Sequence, residues 1–439
     1  MKNIAPAWTF VIAPAIVFGV LQAQQTIPAT PPAPPTLMLA DAEHMAIEHN
    51  PRISVARLLQ LAQAQVTREV RSGELPAAAA SLTAVDSHNG SRITAGALNN
   101  PIVYERAAGG LTVSQLITDF GRTHNLILSA QSQAKAQLDT ERATTEDIVL
   151  AVDQAFYSAL TSQAVLKVAE ETVAARQATA DQISALSAAK LRSTLDLSFA
   201  NVELSQARLL LLDAQNAAQS SMANLNALLG SEQDEQYALV DQAPENPEPA
   251  PLDAEPMVQT AFSYRPDLAA LNDSYNAARQ FSSAEHALGR PTVSALAAVG
   301  GTPVRADQIL SSWYGAAGAN VNIPIFNGFL FSARAREADL RANAAGEEVR
   351  NLRELIARDV RTAVLSAQAA FQRIGVTRQL LEQSNLALNL AQTRYQLGLS
   401  GIVELSQAQL AQTQGEIAYA NARFAYQQSL AVLRFQTGQ

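Results

Sequence analysis

Apolar and polar positions alternate with a helical period over an unusually long stretch of this chain. Residues 122–229 contain neither glycine nor proline, so no helix-breaking residue interrupts them. At about 1.5 Å per residue, a helix over 121–189 would be on the order of 100 Å long, and we expect it to fold back near 190–194. The apolar positions alternate spacings of three and four, as in a coiled-coil seam. That seam comprises Ile148, Val152, Ala155, Ala159, Leu166, Ala169 and Val173.

The same pattern returns 208 positions later. Leu195 aligns with Val403 and Gly230 with Gly438 at this single offset. A repeat of this size indicates one supersecondary unit used twice in one fold. The second hairpin turn is predicted at Leu397–Gly401, where two glycines lie close together. The second seam comprises Ile356, Val360, Ala363, Ala367, Ile374, Thr377 and Leu381.

Strand patterns precede each long helix. Asn320 and Asn322 alternate with Val321 and Ile323, which predicts a strand with one polar and one apolar face. Each repeat is therefore predicted as a helix, two strands and a long helical hairpin. The first repeat is predicted at 39–240, with a helix over 41–71 that is interrupted at Asn50–Pro51. Its strands are predicted at 78–86 and 108–118 and its hairpin at 121–230. A proline-rich linker follows at 241–256. The second repeat is predicted at 257–439. Its helix begins within the linker at 254, is broken at Arg265–Pro266 and runs to 287. Its strands are predicted at 292–300 and 314–325 and its hairpin at 328–438.

Four strands in one chain leave two open sheet edges. Such edges are a liability in water and are not tolerated in lipid. We therefore expect either a further layer that covers them or several chains that close one common barrel.

The amino-terminal segment has the pattern of a signal peptide. Lys2 precedes the apolar run Phe10–Leu21, and small residues before Gln24 suit cleavage. Residues 1–23 are thus predicted to be a signal peptide, and 24–38 a proline-rich leader that builds no core. The mature chain is expected to be exported.

Composition narrows the function classes. The chain has no cysteine, which excludes disulfides and a thiol nucleophile. The formal net charge is −9 and no dense basic cluster is present, which argues against nucleic-acid binding. No later segment has about 18 consecutive apolar residues, so we expect no helical membrane span.

No constellation of catalytic or metal-binding residues stands out. The chain has no G-x-S-x-G elbow and no phosphate-binding loop. We therefore expect no enzymatic activity, no cofactor and no metal. The five histidines do not have metal-ligand spacing, and they are His44, His49, His88, His124 and His286.

The order of several short motifs resembles one known family. These motifs are Arg265–Leu268, the strand-to-helix junctions at Gly121–Arg122 and Ile323–Gly328, and the segment Arg394–Leu405. Together with the duplication, they resemble the TolC-like outer-membrane efflux proteins over about 39–438.

The resemblance implies a mainly helical chain that contributes β-strands to a barrel. Three copies would form a 12-stranded outer-membrane barrel, continued by a periplasmic α-helical tunnel. The implied function is the passive exit duct of a tripartite efflux pump or a type I secretion system. The implied partners are a periplasmic adaptor protein, an inner-membrane pump and outer-membrane lipid.

The resemblance also assigns roles to the hairpin tips. Glu404 matches an acidic residue that rings the periplasmic constriction, and Asp196 is its counterpart in the first repeat. Gln407 stands where a second acid is usual, which implies a ring of three carboxylates instead of six. Tyr395 matches a position that helps to hold the closed tip.

Adaptor docking is expected at the tips. Exposed leucines in short turns are poorly explained by turn chemistry alone. The docking candidates are Leu191, Arg192, Ser193, Leu399, Ser400 and Gly401.

Plainer readings of these residues remain open. Asp196 and Glu404 also suit the first turn of a helix, where the dipole favours acids. Tyr395 also suits ordinary packing between helices. For the whole chain, the alternative is a periplasmic coiled-coil adaptor without channel activity.

Overall fold

The computed structural model describes residues 35–86, 106–231, 235–244, 247, 253–304 and 311–439. The predicted signal peptide 1–23, leader residues 24–34 and part of the linker lie outside the described residues. The end of the leader corrects the prediction that it builds no core, because Leu37 is buried in an apolar cluster. His88 also lies outside them.

Within those residues the elements follow the predicted order of helix, strand pair and hairpin, twice over. A short parallel pair, β1 with β4, joins the two ends of the first repeat. The strands are β1 Thr36–Leu37, β2 Ala77–Val85, β3 Arg106–Thr118, β4 Ala238–Leu239, β5 Thr292–Val304 and β6 Trp313–Asn322. The helices are α1 Leu39–His49, α2 Pro51–Ser72, α3 Arg122–Ala188, α4 Thr194–Leu229, α5 Ala254–Tyr264, α6 Pro266–His286, α7 Leu330–Gln396 and α8 Ile402–Thr437.

The helix at the start of each repeat is divided in two at its proline, as predicted. The residue before each proline, Asn50 or Arg265, has extended backbone, because a following proline disfavours the helical conformation. Proline then opens the next helix, where its missing N–H is not needed. The Asn50 side chain also accepts a hydrogen bond of 2.9 Å from the Arg52 backbone N–H, which caps α2.

The four long strands form one antiparallel sheet in the order β2–β3–β5–β6. The pairing of β3 with β5 joins the two repeats. Among the described residues, β2 and β6 are the sheet's open edges.

Two predicted strand ends are wrong. The strand predicted to reach residue 325 ends at Asn322, because Pro324 has no N–H to continue the ladder. The strand predicted to end at residue 300 continues to Val304, because its far end still pairs with β3, where Val304 lies opposite Ala107.

Each repeat ends in a hairpin with one very long and one shorter arm. Helices α3 and α7 have 67 residues each, which corresponds to a length on the order of 100 Å. Helices α4 and α8 have 36 residues each. We call α3–α4 hairpin one and α7–α8 hairpin two. In the described part of the chain, no helix combines the length and the apolar character needed to cross a membrane.

Two apolar clusters join the hairpins at different heights. The predicted seam supplies part of the upper one, in which Ile148 and Val152 are fully buried. The upper group, called the waist cluster, is Leu37, Ala42, Ala46, Ile53, Ile148, Val152, Phe156, Leu160, Met222, Leu225, Leu229, Tyr237 and Phe424. The lower group, called the tip cluster, is Ala180, Ile183, Ala200, Leu204, Ala391, Tyr395, Ile402 and Leu405.

Candidate gate at the hairpin tips

The turn at the tip of hairpin one contains a lysine with strained backbone. Lys190 has a φ of +61°, a left-handed conformation that costs a residue with a Cβ roughly 1–2 kcal/mol. Ser193 then begins α4 by accepting a hydrogen bond of 3.0 Å from the Leu195 backbone N–H. Leu191 lies in the turn between Lys190 and Ser193 and is 71% exposed.

The tip of hairpin two makes the same turn without strain. Gly398 has a φ of +72° at the position that corresponds to Lys190, and glycine adopts this conformation readily. Helix α8 begins after Gly401, which offers no side chain to cap the helix. Leu399 is 67% exposed, much like Leu191.

Two contacts reach across from hairpin one to hairpin two at Tyr395. The Arg192 guanidinium stacks over the Tyr395 ring, 4.3 Å from its centroid. Arg192 Nη2 also donates a hydrogen bond of 2.9 Å to the Tyr395 carbonyl oxygen. Sequence reasoning assigned Arg192 to docking, and it missed this contact because the two residues are 203 positions apart.

Tyr395 itself is held in the tip cluster. Its side chain is 6% exposed, and its hydroxyl is buried without a hydrogen-bond partner. Burial raises the pKa of the Tyr395 phenol, and the nearby Asp196 carboxylate raises it further, against the opposing charge of Arg192. The phenol therefore stays neutral, and its stacked face is the part that binds the other hairpin.

Glu404 lies in the first turn of α8, opposite the end of α7. Its Oε1 is 2.9 Å from Arg394 Nε, and both side chains are about half exposed. Sequence reasoning did not anticipate this partner, which partly neutralises the carboxylate. Gln407 is exposed on the next turn of the same helix.

The remaining predicted residues divide between the turn surface and its interior. Asp196 lies half-buried in the first turn of α4, the position that the helix dipole favours. Ser400 has a buried hydroxyl without a partner, so it is poorly placed to contact another protein directly. The exposed leucines at 191 and 399 are the parts of the docking set that reach furthest into solvent.

The described residues hold no group of three or more His, Cys, Asp and Glu side chains arranged to bind a metal ion. His286 instead contacts the Asp339 carboxylate at 3.1 Å, between α6 and α7. Hydrogen bonds from Ser282 and His286 lower the pKa of Asp339. This contact is a partly exposed ion-pair or hydrogen-bond contact that connects two helices.

A comparison with protein families finds one match that spans both repeats. The family described as outer membrane efflux protein matches residues 43–231 and 257–439. Those ranges contain both hairpins and both tips. No curated protein sequence matches the chain.

Solved structures with the same fold come from several bacteria. A membrane protein from Pseudomonas aeruginosa is 22% identical with a TM-score of 0.79, over 94% of this chain and 98% of that one. The outer membrane protein VceC of Vibrio cholerae is 20% identical with a TM-score of 0.77, over 91% of this chain and 96% of that one. The MtrE outer membrane channel of Neisseria gonorrhoeae, solved in its open state, is 20% identical with a TM-score of 0.76, over 91% of this chain and 88% of that one.

Proposed function

Because this chain belongs to the outer membrane efflux protein family, we propose that it is the exit duct of a tripartite pump. As a family member it is an outer-membrane channel whose helices extend into the periplasm. The family is one of channels and not of enzymes. The role in a pump, with an adaptor protein and an inner-membrane transporter, is the proposed part.

The duct is a homotrimer in this proposal. The sheet ends in the two open edges β2 and β6, and open edges cannot face lipid. Three copies of a four-stranded sheet, joined edge to edge, would form a closed 12-stranded barrel. The hairpins of all three copies would then stand together as one tunnel.

The gate of the tunnel lies at the hairpin tips in this proposal. Three copies of Glu404 would form a ring near the axis, with Asp196 and Gln407 beside it. A ring of like charges creates a negative potential that favours cations. The pairing of Glu404 with Arg394 weakens that potential. The contact of Arg192 with Tyr395 holds the two tips of one chain together.

Adaptor docking is proposed at the outer surface of the same tips. Leu191 and Leu399 present repeated, exposed apolar side chains in both turns. Ser193, Ser400 and Gly401 shape those turns, and Arg192 serves the gate as well as the turn. The adaptor would be the periplasmic partner, and the same tips would connect the duct to its pump.

One observation carries the proposal, namely two full-length hairpins attached to a sheet with two open edges. Purified protein in detergent should have the native mass of a trimer, and it should conduct ions in a planar bilayer. A soluble monomer without conductance would overturn the proposal and favour the coiled-coil adaptor without a channel.

A further inference from the structure

The two hairpins contact each other through different chemistry at different heights. The tip cluster and the waist cluster are apolar, but the part between them is not. There the facing positions of α3, α4 and α8 carry polar side chains. We call this part the polar layer, and it consists of Thr172, Arg176, Glu203, Ser406 and Thr413.

Arg176 is the least satisfied member of the layer. It is 5% exposed, and its Nη1 is buried without a hydrogen-bond partner. Its Nη2 lies 3.8 Å from Glu203 Oε2, which is long for an ion pair. A buried charged donor without a partner is destabilising, so the burial of Arg176 between the hairpins does little to stabilise the closed state.

Two clefts flank Arg176. Their volumes are about 200 Å³ and about 280 Å³, and Thr172, Arg176 and Thr413 line both of them. The first cleft is also walled by Gln409 and Glu416. The second cleft is also lined by Leu210, Leu410 and Ile417. The first cleft, with its many polar groups, is the one that is suited to hold water. The hairpins are therefore poorly packed against each other at this height.

The contacts that cross the layer are easily replaced by water. The Ser406 hydroxyl donates a hydrogen bond of 2.5 Å to Glu203 Oε1, and Glu203 is partly open to solvent. The Thr172 and Thr413 hydroxyl oxygens lie 3.4 Å apart. Each threonine also donates to a carbonyl of its own helix, so neither depends on the other. Water can replace the lost partner in each of these bonds, which offsets much of the loss when the helices separate.

The repeat relation sets this layer apart from the rest of the interface. The position that corresponds to Arg176 in the second repeat is Ser384. A Cβ on Gly415 would come within 2.9 Å of the Ser384 hydroxyl oxygen, so the interior of hairpin two is tightly packed there. The polar, open arrangement therefore belongs to the face that hairpin one turns toward hairpin two.

We propose that the hairpins separate from the tips up to the polar layer when the channel opens, while the waist cluster stays closed. The proposal rests on the proposed function, since it requires a gate at the tips. Arg176 and Glu203 both belong to hairpin one and would move together. Below the layer, the tip cluster and the contacts of Arg192 with Tyr395 would part. Within the layer, only the contacts of Glu203 with Ser406 and of Thr172 with Thr413 would be exchanged for water.

The first test makes the layer apolar without changing its shape. The double variant Thr172→Val with Thr413→Val replaces two hydroxyls by methyl groups, which should adhere when they face each other. We expect a severalfold lower mean current in planar bilayers than for the wild type. Thr377→Val is the matched control, because the buried Thr377 hydroxyl bonds carbonyls of its own helix. An unchanged or higher current in a correctly assembled double variant would overturn the proposal.

The second test locks the layer. The chain contains no cysteine, so Thr172→Cys with Thr413→Cys introduces the sole possible disulfide within one chain. We expect oxidation to lower the mean current severalfold and dithiothreitol to restore it, with each single variant insensitive to both. Equal currents before and after verified oxidation would overturn the proposal. Failure of the folded protein to form the disulfide would contradict the close approach of the two helices.

These outcomes are distinct from failure of the proposed function. If the wild type does not conduct, the channel assignment itself fails. If the wild type and the Thr377→Val control conduct equally while the oxidised and reduced double-cysteine currents agree, only the separation at the polar layer fails.

Discussion

The two hairpin tips occupy the same place in their repeats, but they are stabilised differently. Tip one keeps a strained Lys190 and a serine cap, and it sends Arg192 to the other hairpin. Tip two has an unstrained Gly398, and its charged pair of Arg394 and Glu404 stays within hairpin two. The two copies thus share their backbone conformation, but their side chains make different contacts. Tip one contacts hairpin two through Arg192, and tip two carries the candidate gate carboxylate, Glu404.

The waists of the two repeats differ in a similar way. In the first repeat, Asp153 is buried against Arg434 of α8 at 2.9 Å. Its counterpart 208 positions later is Arg361, which pairs with Glu255 on the surface. Hairpin one therefore contributes a buried carboxyl group at a position where hairpin two contributes an exposed guanidinium.

The largest effect should come from removing the contact between the tips. Arg192→Ala deletes a cation–π contact worth ~0.5–2 kcal/mol and a charge-assisted hydrogen bond to Tyr395. Because ~1.4 kcal/mol corresponds to a factor of ten, we expect the open fraction to rise on the order of tenfold in single-channel recordings. Arg208→Ala is the control, since Arg208 bonds Gln177 within hairpin one. A current no higher than that of the control would show that tip one does not hold tip two.

A smaller effect is expected on ion selectivity. Glu404→Gln should reduce the preference for cations, and Arg394→Ala should increase it, because the arginine offsets the carboxylate at 2.9 Å. Reversal potentials in asymmetric salt measure both changes. Glu347→Gln is the control, since Glu347 forms a similar exposed pair with Arg350 far from the tip. An unchanged reversal potential in Glu404→Gln would remove Glu404 from the gate.

The strain in the turns should appear as opposite changes in stability. Lys190→Gly should stabilise tip one, and Gly398→Ala should destabilise tip two, each by about 1 kcal/mol. Thermal unfolding in detergent, with proteolysis at the tips as a local readout, would detect both changes. Changes of the same sign in both variants would contradict the strain that the left-handed backbone assigns to residue 190.

The smallest effect on the current, and a clear one on stability, is expected at the waist. Burial, together with the neighbouring Glu43 carboxyl, raises the pKa of Asp153 to about 7, against the opposing charge of Arg434. The folded protein then binds more protons than the unfolded chain between about pH 4 and pH 7, so its stability should fall as the pH rises through that window. Asp153→Asn should flatten this dependence of the unfolding temperature. An identical pH profile in the variant would exclude Asp153 as its source.

Local pattern was enough to predict most of the architecture. The seam containing Ile148 and Val152 predicted the coiled coils, and prolines at 51 and 266 predicted the helix breaks. The strand ends failed where one residue decided the matter, as Pro324 did for β6. Periodicity shows which face of an element a residue occupies. This is enough to predict the type and order of helices and strands, but not where each strand ends.

The links that operate the candidate gate could not be predicted in the same way. Arg192 meets Tyr395, and Thr172 meets Thr413, across separations of 203 and 241 positions. Such pairs depend on the relative height of two hairpins, which no local pattern specifies. Arg394 and Glu404 are close in sequence, but their pairing requires the turn at Gly398 to bring them together.

The pairing of β3 with β5 has a consequence for how the protein is made. These strands are neighbours in the sheet, yet the whole of hairpin one lies between them in the chain. Hairpin one consists of two helices that follow each other directly in the chain and can pair early, whereas the sheet must wait for a strand that is exported much later. Until then β3 carries an uncovered edge that can pair with any other chain. We therefore expect assembly to depend on the concentration of chaperones that cover this edge. It should depend less on the intrinsic stability of the helices.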